Sequence, residues 1–201
     1  MPSIYDLKPR FQNLLRPLNS KLANSGITAN HITLLAFFIS LAAGVLLALF
    51  PQHRWPLLII PIILFIRMAL NAIDGMLARE HNMKSSLGAV LNELGDVLSD
   101  VVLYLPLALV SDVNATWLVL VVILSIITEM AGVVAVQIGA QRRYDGPMGK
   151  SDRAFLFGLI SLLLGLGVQP GAWLTSLLIL MFGLLCLTVY NRIQNALEEL
   201  A

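Results

Sequence analysis

The stretch of sequence that decides the fold reads Asn71-Ala72-Ile73-Asp74-Gly75-Met76-Leu77-Ala78-Arg79 and, after eight further residues, Gly88-Ala89-Val90-Leu91-Asn92-Glu93-Leu94-Gly95-Asp96-Val97-Leu98-Ser99-Asp100. Both segments are largely apolar and compatible with helices, yet they carry polar side chains at a fixed spacing. Charged side chains inside membrane-embedded segments are costly and mark functional sites by default. The stretch therefore predicts two helices that together build a polar site.

The composition of the whole chain is that of an integral membrane protein. Hydrophobic residues make up 58% of the 201 positions and charged residues only 12%, which is too apolar for a soluble domain. A helix needs about 17 to 25 apolar residues to cross a bilayer. We therefore predict an all-α polytopic membrane protein with six transmembrane helices, at residues 31–50, 56–77, 87–110, 116–138, 154–168 and 173–190.

The chain is expected to have two parts. Residues 1–30 form a cytoplasmic juxtamembrane amphipathic segment, and residues 31–201 form the six-helix membrane domain. Residues 3–23 mix leucines with basic residues, a pattern typical of a helix on the membrane surface. Pro9 and Pro17 are expected to interrupt or kink that helix. The alternative is that the segment only helps to set the topology.

The basic residues predict the orientation in the membrane. Eleven of the thirteen Lys and Arg residues precede the first span, follow the last, or lie in the loops on that same side. Because basic loops stay in the cytoplasm, both termini and the polar site are expected to be cytoplasmic. Trp55, Trp117 and Trp173 mark the opposite interface, as aromatic belts do. We expect a protein of the bacterial inner (cytoplasmic) membrane.

Helical geometry brings the polar residues of the deciding stretch onto common faces. At about 100° per residue, Arg67, Asn71 and Asp74 share one face of the second predicted span. The third predicted span presents a second group, Asn92, Glu93, Asp96, Ser99 and Asp100. Oxygen ligands that converge in this way suit a hard divalent cation such as Mg²⁺. The simpler alternative is an ion pair between Arg67 and an aspartate, with the small residues serving helix packing.

At these residues the chain resembles the CDP-alcohol phosphotransferase (CDP-alcohol phosphatidyltransferase) family. The family signature is Asp-x2-Asp-Gly-x2-Ala-Arg-x8-Gly-x3-Asp-x3-Asp. The matching residues of this chain are Asp74, Gly75, Ala78, Arg79, Gly88 and Asp96. Asn71 and Asn92 stand where the family has its first and third aspartates. The resemblance extends to residues 28–33 before the first span and to a basic loop before the fifth.

The resemblance implies a metal site with a general base. In the family the four carboxylates hold two divalent ions, and the last carboxylate also removes a proton from the acceptor. Carried over, the metal ligands are Asp74, Asn71, Asn92 and Asp96, the general base is Asp96, and the nucleotide site is lined by Gly75, Ala78, Arg79 and Gly88. Glu93 and Asp100 are candidates to replace the missing carboxylates. Alternatively, one ion is lost and Arg67 supplies its charge, so the expected cofactor is one or two Mg²⁺ or Mn²⁺ ions.

The implied activity is a transfer step of phospholipid synthesis. A phosphatidyl or other substituted phosphate group moves from a CDP-linked donor, with CDP-diacylglycerol favoured, to an alcohol hydroxyl, and CMP is released. Glycerol phosphate, inositol phosphate, serine and a phosphatidyl lipid remain open as acceptors. The resemblance also implies a homodimer, and no nucleic-acid partner is expected. The alternatives are a catalytically inactive relative that binds CDP-lipid, and a small membrane transporter.

Two further features are expected to contribute charge. The segment from Arg142 to Arg153 is basic and rich in turn residues, and Lys150 and Arg153 are its candidates for binding phosphate. The alternative is that these residues only contact lipid headgroups. Glu129, inside the fourth predicted span, is expected to pair with a basic group, and Arg67 is one candidate partner.

Overall fold

The structure is a computed structural model that describes residues 4–201, with side chains from Phe11 onward. Over this range the chain forms seven α-helices and no strand. A short 3₁₀ helix, Leu105–Leu109, separates the fourth helix from the fifth. The α-helices are α1 (Ile4–Asn24), α2 (Ala29–Leu49), α3 (Arg54–Glu80), α4 (Ser86–Tyr104), α5 (Ala115–Gln137), α6 (Lys150–Gly165) and α7 (Ala172–Glu198).

The expectation of six transmembrane helices is wrong, although the all-α membrane fold holds. In the described part of the chain, four helices are long and apolar enough to cross a membrane, namely α2, α3, α5 and α7. Helix α4 is not apolar enough to count as a membrane span, because its 19 residues include Glu93, Asp96 and Asp100. Helix α6 has 16 residues and spans only about 24 Å, less than the roughly 30 Å of a hydrocarbon core. The sequence pattern located both helices but overestimated how far their apolar segments reach.

The 3₁₀ helix explains why the third predicted span stops early. The prediction ran to Val110, whereas α4 ends at Tyr104. Pro106 lies at the start of the 3₁₀ segment. Because proline has no N–H and its ring clashes with the preceding turn, the α-helix does not continue through it.

Helix α1 is continuous, so its prolines do not interrupt it, and the expected alternative, a kink, stays a prediction. It contains Pro17 and still runs to Asn24, because the loss of one backbone hydrogen bond leaves the others in place. Its Leu15 and Leu22 pack against an apolar cluster formed by the start of α2 and the end of α3. Leu14, by contrast, is 75% exposed. The helix is therefore amphipathic, with one face against the protein.

Packing divides the chain into two compact units. Residues 4–42 together with Ile62–Ser99 form unit 1, which holds α1, the start of α2, the end of α3 and most of α4. Ala43–Pro61 and Asp100–Ala201 form unit 2, which holds α5, α6 and α7. The core of unit 2 includes the stacked rings of Tyr104 and Phe157, whose centroids are 3.9 Å apart.

The spanning helices present large apolar side chains outward. Phe65 of α3, Met130 of α5 and Leu180 of α7 are each about 60% exposed. A soluble protein of this size does not leave so many large apolar groups in water. These surfaces fit contact with lipid chains, in agreement with the four spans.

Candidate active site

The buried carboxylate of Asp74 is the centre of a first cluster in unit 1, the Asp74 cluster. Helix α3 supplies Asp74, which is 5% exposed. Its Oδ2 accepts a hydrogen bond from Thr33 Oγ1 of α2 at 2.9 Å and lies 3.5 Å from Asn92 Nδ2 of α4. Three helices therefore converge on one carboxylate oxygen. Thr33 lies in the segment 28–33 that resembles the family, but no site role was predicted for it.

A second cluster in unit 1, the Asp96 cluster, joins α3 to α4. Asn71 Nδ2 donates a hydrogen bond to Asp96 Oδ1 at 3.2 Å. Arg67 Nη2 lies 3.8 Å from the same oxygen and 3.5 Å from the main-chain oxygen of Asp96. The Arg67 side chain is 4% exposed, whereas that of Asp96 is 26% exposed. Asp96 is thus the more accessible of the two signature aspartates, and a buried guanidinium compensates its charge.

A cavity of about 390 Å³ opens beside Asp74. It brings together the four residues that were predicted to line the nucleotide site, and it adds polar and basic groups that the sequence analysis missed. Its lining residues are Ala29, Asn30, Thr33, Asp74, Gly75, Ala78, Arg79, Met83, Lys84, Ser85, Gly88, Ala89 and Asn92. Of the added groups, Lys84 and Ser85 lie in the eight-residue gap of the signature, and Asn30 and Thr33 lie in the segment 28–33 before the first span.

The cavity combines basic side chains, which suit an anion, with neutral polar side chains. Arg79 and Lys84 supply two positive charges of the kind that bind phosphate oxygens. At Gly88 the wall is tight, since a methyl group there would lie 2.7 Å from Asn30 Oδ1. The Gly88 amide donates a hydrogen bond to Ser85 Oγ at 2.9 Å. A larger residue at position 88 would have to displace the ends of the Asn30 and Ser85 side chains.

Unit 2 contains a separate network of buried charges, the arginine network. Glu129 of α5 accepts hydrogen bonds from Arg153 at 2.9 Å and from Arg142 at 3.0 Å, and Arg192 Nη1 lies 3.4 Å from its Oε1. Asp100 Oδ2 is 3.3 Å from Arg153 Nη2. Glu129 therefore pairs with basic groups as expected, and its partners are these three arginines, whereas Arg67 contacts Asp96.

The arginine network contains two other predicted site residues, and two more lie outside it. Asp100, a candidate replacement ligand, contacts Arg153. Arg153, a candidate phosphate group, is 1% exposed and bound by two carboxylates. Lys150 is the first residue of α6, and Glu93 is partly buried on α4. The functional roles assigned to these residues stay predictions.

The oxygen donors of unit 1 are two carboxylates, Asp74 and Asp96, with the hydroxyl of Thr33 and the amides of Asn71 and Asn92 beside them. No group of three or more acidic, His or Cys side chains that could hold a metal occurs among the described residues. Asp74 and Asp96 carry two negative charges, and Arg67 adds a positive one. Amide and hydroxyl oxygens complete a coordination shell without adding charge. Two divalent ions would bring four positive charges to a largely buried site, which is costly without matching anions.

Comparison with known sequences identifies relatives over nearly the whole chain. The sequence model of the family described as CDP-alcohol phosphatidyltransferase matches residues 26–195. The "Inner membrane protein YnbA" of Escherichia coli (strain K12) is 47% identical over 195 residues, which cover 97% of this chain and 96% of that protein. The "Archaetidylinositol phosphate synthase" of Pyrococcus horikoshii is 32% identical over 103 residues, 51% of this chain and 52% of that protein.

Solved structures show the same fold. Mycobacterium tuberculosis phosphatidylinositol phosphate synthase (PgsA1) with CDP-DAG bound superposes with a TM-score of 0.75 at 18% identity, over 90% of this chain and 92% of that chain. The same synthase in complex with manganese and citrate also gives a TM-score of 0.75 at 18% identity, over 90% of this chain and 87% of that chain. At this identity the similarity establishes the fold.

Proposed function

Because the chain belongs to the CDP-alcohol phosphatidyltransferase family, we propose that it transfers a phosphatidyl group from CDP-diacylglycerol to an alcohol hydroxyl and releases CMP. The family consists of enzymes, and the chain is an integral membrane transferase of phospholipid synthesis. The observation that supports the proposal is the cavity in unit 1. Its lining includes the signature residues Asp74, Gly75, Ala78, Arg79 and Gly88.

The cavity suits the nucleotide diphosphate part of the donor. Arg79 and Lys84 neutralise phosphate charge, as arginine and lysine commonly do. The absence of side chains at Gly75 and Gly88 lets the ligand approach the backbone. Asn30 and Ser85 offer neutral hydrogen-bonding groups for the nucleoside. The relative PgsA1 was solved with CDP-DAG bound, which supports a CDP-lipid as the donor of this chain as well.

Asp96 takes the proton of the acceptor hydroxyl in this proposal. Its carboxylate is 26% exposed, whereas Asp74 is 5% exposed, so Asp96 is the one that an acceptor reaches from water. Asn71 and Arg67 hold its Oδ1 in place. Asp74, with the side-chain oxygens of Thr33 and Asn92, would bind Mg²⁺ or Mn²⁺. A bound divalent cation supplies charge neutralisation to the diphosphate and its leaving group.

The site is proposed to face the cytoplasm, together with both termini. The positive-inside rule supports this orientation, since basic residues precede α2 and also lie between α3 and α4, on the same side of the membrane. A site at the cytoplasmic surface receives a lipid donor laterally and a small alcohol from water. The name of the Escherichia coli relative supports the inner membrane as the location. We also propose that the protein acts as a homodimer, as the family resemblance implies.

The proposal is tested with purified protein, labelled CDP-diacylglycerol and a panel of alcohols. The panel contains glycerol phosphate, inositol phosphate, serine and a phosphatidyl lipid, and mass spectrometry detects CMP and the lipid product. Formation of a phosphodiester lipid with at least one alcohol is expected. Donor binding without CMP release for every alcohol would contradict the proposal and favour an inactive CDP-lipid-binding relative.

The proposed activity should depend on a divalent cation. Excess EDTA is expected to abolish CMP release, and Mg²⁺ or Mn²⁺ added beyond the chelator is expected to restore it. The physical reason is that the two carboxylates of the site repel the diphosphate rather than neutralise it. The rate of CMP release measures the effect. Undiminished release in excess chelator would exclude a metal-dependent site.

A further inference from the structure

We propose that Thr33 of α2 is a positioning residue for Asp74. Its hydroxyl group donates its proton to the Asp74 carboxylate and so fixes the orientation in which that carboxylate meets a divalent cation. The inference rests on the proposed function and adds to it a residue that lies outside the signature.

The first support is the assignment of the hydroxyl proton. Thr33 Oγ1 lies 2.9 Å from Asp74 Oδ2 and 3.1 Å from the main-chain oxygen of Ala29. A hydroxyl has one proton, so these two oxygens compete for it. An ionised carboxylate has no proton to give and accepts a stronger hydrogen bond than a carbonyl does. The Ala29 carbonyl also accepts a backbone hydrogen bond in the first turn of α2. The proton of Thr33 therefore lies on the side of Asp74.

The second support is the fixed rotamer of Thr33. Threonine in a helix divides between two rotamers, and the contact of Oγ1 with the oxygen of Ala29, four residues earlier, selects one of them. The methyl group of Thr33 faces α4, where a Cβ atom on Gly95 would lie 3.6 Å from Thr33 Cγ2. The hydroxyl group is therefore directed at Asp74 by its own helix on one side and by α4 on the other.

The third support is the position of this hydroxyl group in the cavity. Thr33 and Asp74 both line it. In the described part of the chain, no donor reaches Thr33 Oγ1, whose hydrogen bonds are the two that involve its own proton. A hydroxyl oxygen that gives its proton to a carboxylate still has lone pairs for a hard cation. Thr33 and Asp74 thus form a pair of oxygens that is oriented before a ligand binds.

Removal of the hydroxyl group should weaken the site even where the shape of the side chain is kept. Valine keeps the methyl group that faces Gly95, but it offers neither a proton nor a lone pair. The Asp74 carboxylate then has to be ordered when a cation binds, and an apolar methyl group replaces a hydrogen-bond donor beside it. Serine keeps the hydroxyl group and loses the methyl group. Metal affinity and turnover should therefore follow the hydroxyl group.

The first measurement is a Mn²⁺ titration of purified protein in detergent without CDP-lipid, followed by electron paramagnetic resonance of the free ion. Thr33→Val should raise the dissociation constant at least about tenfold, because it removes a hydrogen bond to a charged group. Thr33→Ser should stay close to the parent, and Asp74→Asn should lose the binding. The control is Thr175→Val, the same chemical change at a partly buried position of α7, which should leave the affinity unchanged.

The second measurement separates positioning from direct contact with the donor. At saturating Mn²⁺, Thr33→Val should lower kcat by about tenfold or more, with little change in KM for the CDP-lipid, because Thr33 acts through Asp74. Thr33→Ser should restore kcat. Thr33→Ala and Thr33→Ser differ by the hydroxyl group alone, so this pair gives the same test if valine disturbs folding.

Four results would overturn the inference. They are parent-like Mn²⁺ affinity in Thr33→Val, failure of a folded Thr33→Ser protein to keep that affinity, a parent that binds no Mn²⁺, and a rise in KM for the CDP-lipid at unchanged kcat. The last result would make Thr33 a donor-binding residue. A Mn²⁺ affinity that follows the hydroxyl group, in a protein that turns over CDP-lipid with no alcohol, would refute the proposed function and leave the positioning role standing.

Discussion

At the scale of single residues, the site differs from its family signature at Asn71 and Asn92. The structure shows both amides donating to the two remaining aspartates, Asp96 and Asp74. Each asparagine therefore forms a hydrogen bond with one of the two remaining carboxylates. The consequence is a site with half the negative charge of the family pattern, and with a buried arginine next to one of its anions.

Replacement of Asp96 by asparagine should abolish most turnover without unfolding the protein. The amide has the shape of the carboxylate but cannot accept the acceptor's proton, and loss of a general base costs roughly 10² to 10⁴ in rate. The measurement is CMP release, with the elution volume in gel filtration as the check on folding. Near-normal turnover of Asp96→Asn together with an inactive Asp100→Asn protein would place the base four residues later.

Restoration of both signature carboxylates should strengthen metal binding without raising turnover. In the Asn71→Asp, Asn92→Asp double variant, a carboxylate at position 92 joins Asp74, whereas one at position 71 pairs with Arg67. We expect tighter Mg²⁺ binding by calorimetry and a turnover rate no higher than that of the parent. A large gain in rate from an almost inactive parent would show that the natural chain has lost its catalytic metals.

At the scale of the elements, the cavity depends on two close approaches to α4. The loop before α4 makes one of them, and the start of α2 makes the other. The contacts of Gly88 with Asn30 and Ser85 set these approaches. Helix α1 supports the same region from outside, because Leu15 and Leu22 pack on the apolar cluster that includes Ala29 and Ala78. The wall of the cavity is therefore built by three helices that are separated along the chain.

The substitution Gly88→Ala should weaken donor binding. Its methyl group would lie 2.7 Å from Asn30 Oδ1 and 3.0 Å from Ser85 Oγ, so these two polar groups of the cavity lining must move. We expect KM for the CDP-lipid to rise by about tenfold, an energy of about 1.4 kcal/mol, with a smaller change in kcat. The matched control is Gly183→Ala on α7, where a methyl group meets no atom within 4 Å. Equal KM values for the two variants would contradict the tight wall at Gly88.

At the scale of the whole molecule, the two units differ in how their buried charged residues are arranged. The carboxylates of unit 1 lie at the proposed site, whereas in unit 2 three arginines surround Glu129. Arg192 also donates to the main-chain oxygen of Thr128. The network consists of three arginines around Glu129 and Asp100. Removal of any one member should lower the stability of the fold, because it leaves a buried charge without compensation.

The substitution Glu129→Gln should destabilise the protein strongly. It leaves Arg142, Arg153 and Arg192 with too little negative charge, and an uncompensated buried charge costs about 3 to 5 kcal/mol. The measurement is the thermal unfolding midpoint in detergent. Glu80→Gln is the control, because its ion pair with Arg16 is exposed and is worth at most about 1 kcal/mol. Similar midpoints for both variants would show that the network contributes little to stability.

The local properties of this protein could be predicted from its sequence, because they depend on neighbouring residues. Hydropathy located the six hydrophobic helices α2 to α7, and the signature spacing identified the family and the residues Gly75, Ala78, Arg79 and Gly88 that line the cavity. Charge placement predicted an orientation that stays a prediction. The number of spans was wrong because α4 carries three carboxylates and α6 has only 16 residues, so neither is both long and apolar enough to cross the membrane.

Only the tertiary structure shows which residues on different helices contact each other. The contacts of Thr33 with Asp74 and of Glu129 with Arg192 join residues that are 41 and 63 positions apart. Periodicity shows which residues share a helix face, but not which faces meet or at what height. The side-chain packing of all the helices together decides which faces meet and at what height. The sequence therefore indicated a polar site, and packing determined that Arg67 and Asn71 both contact Asp96.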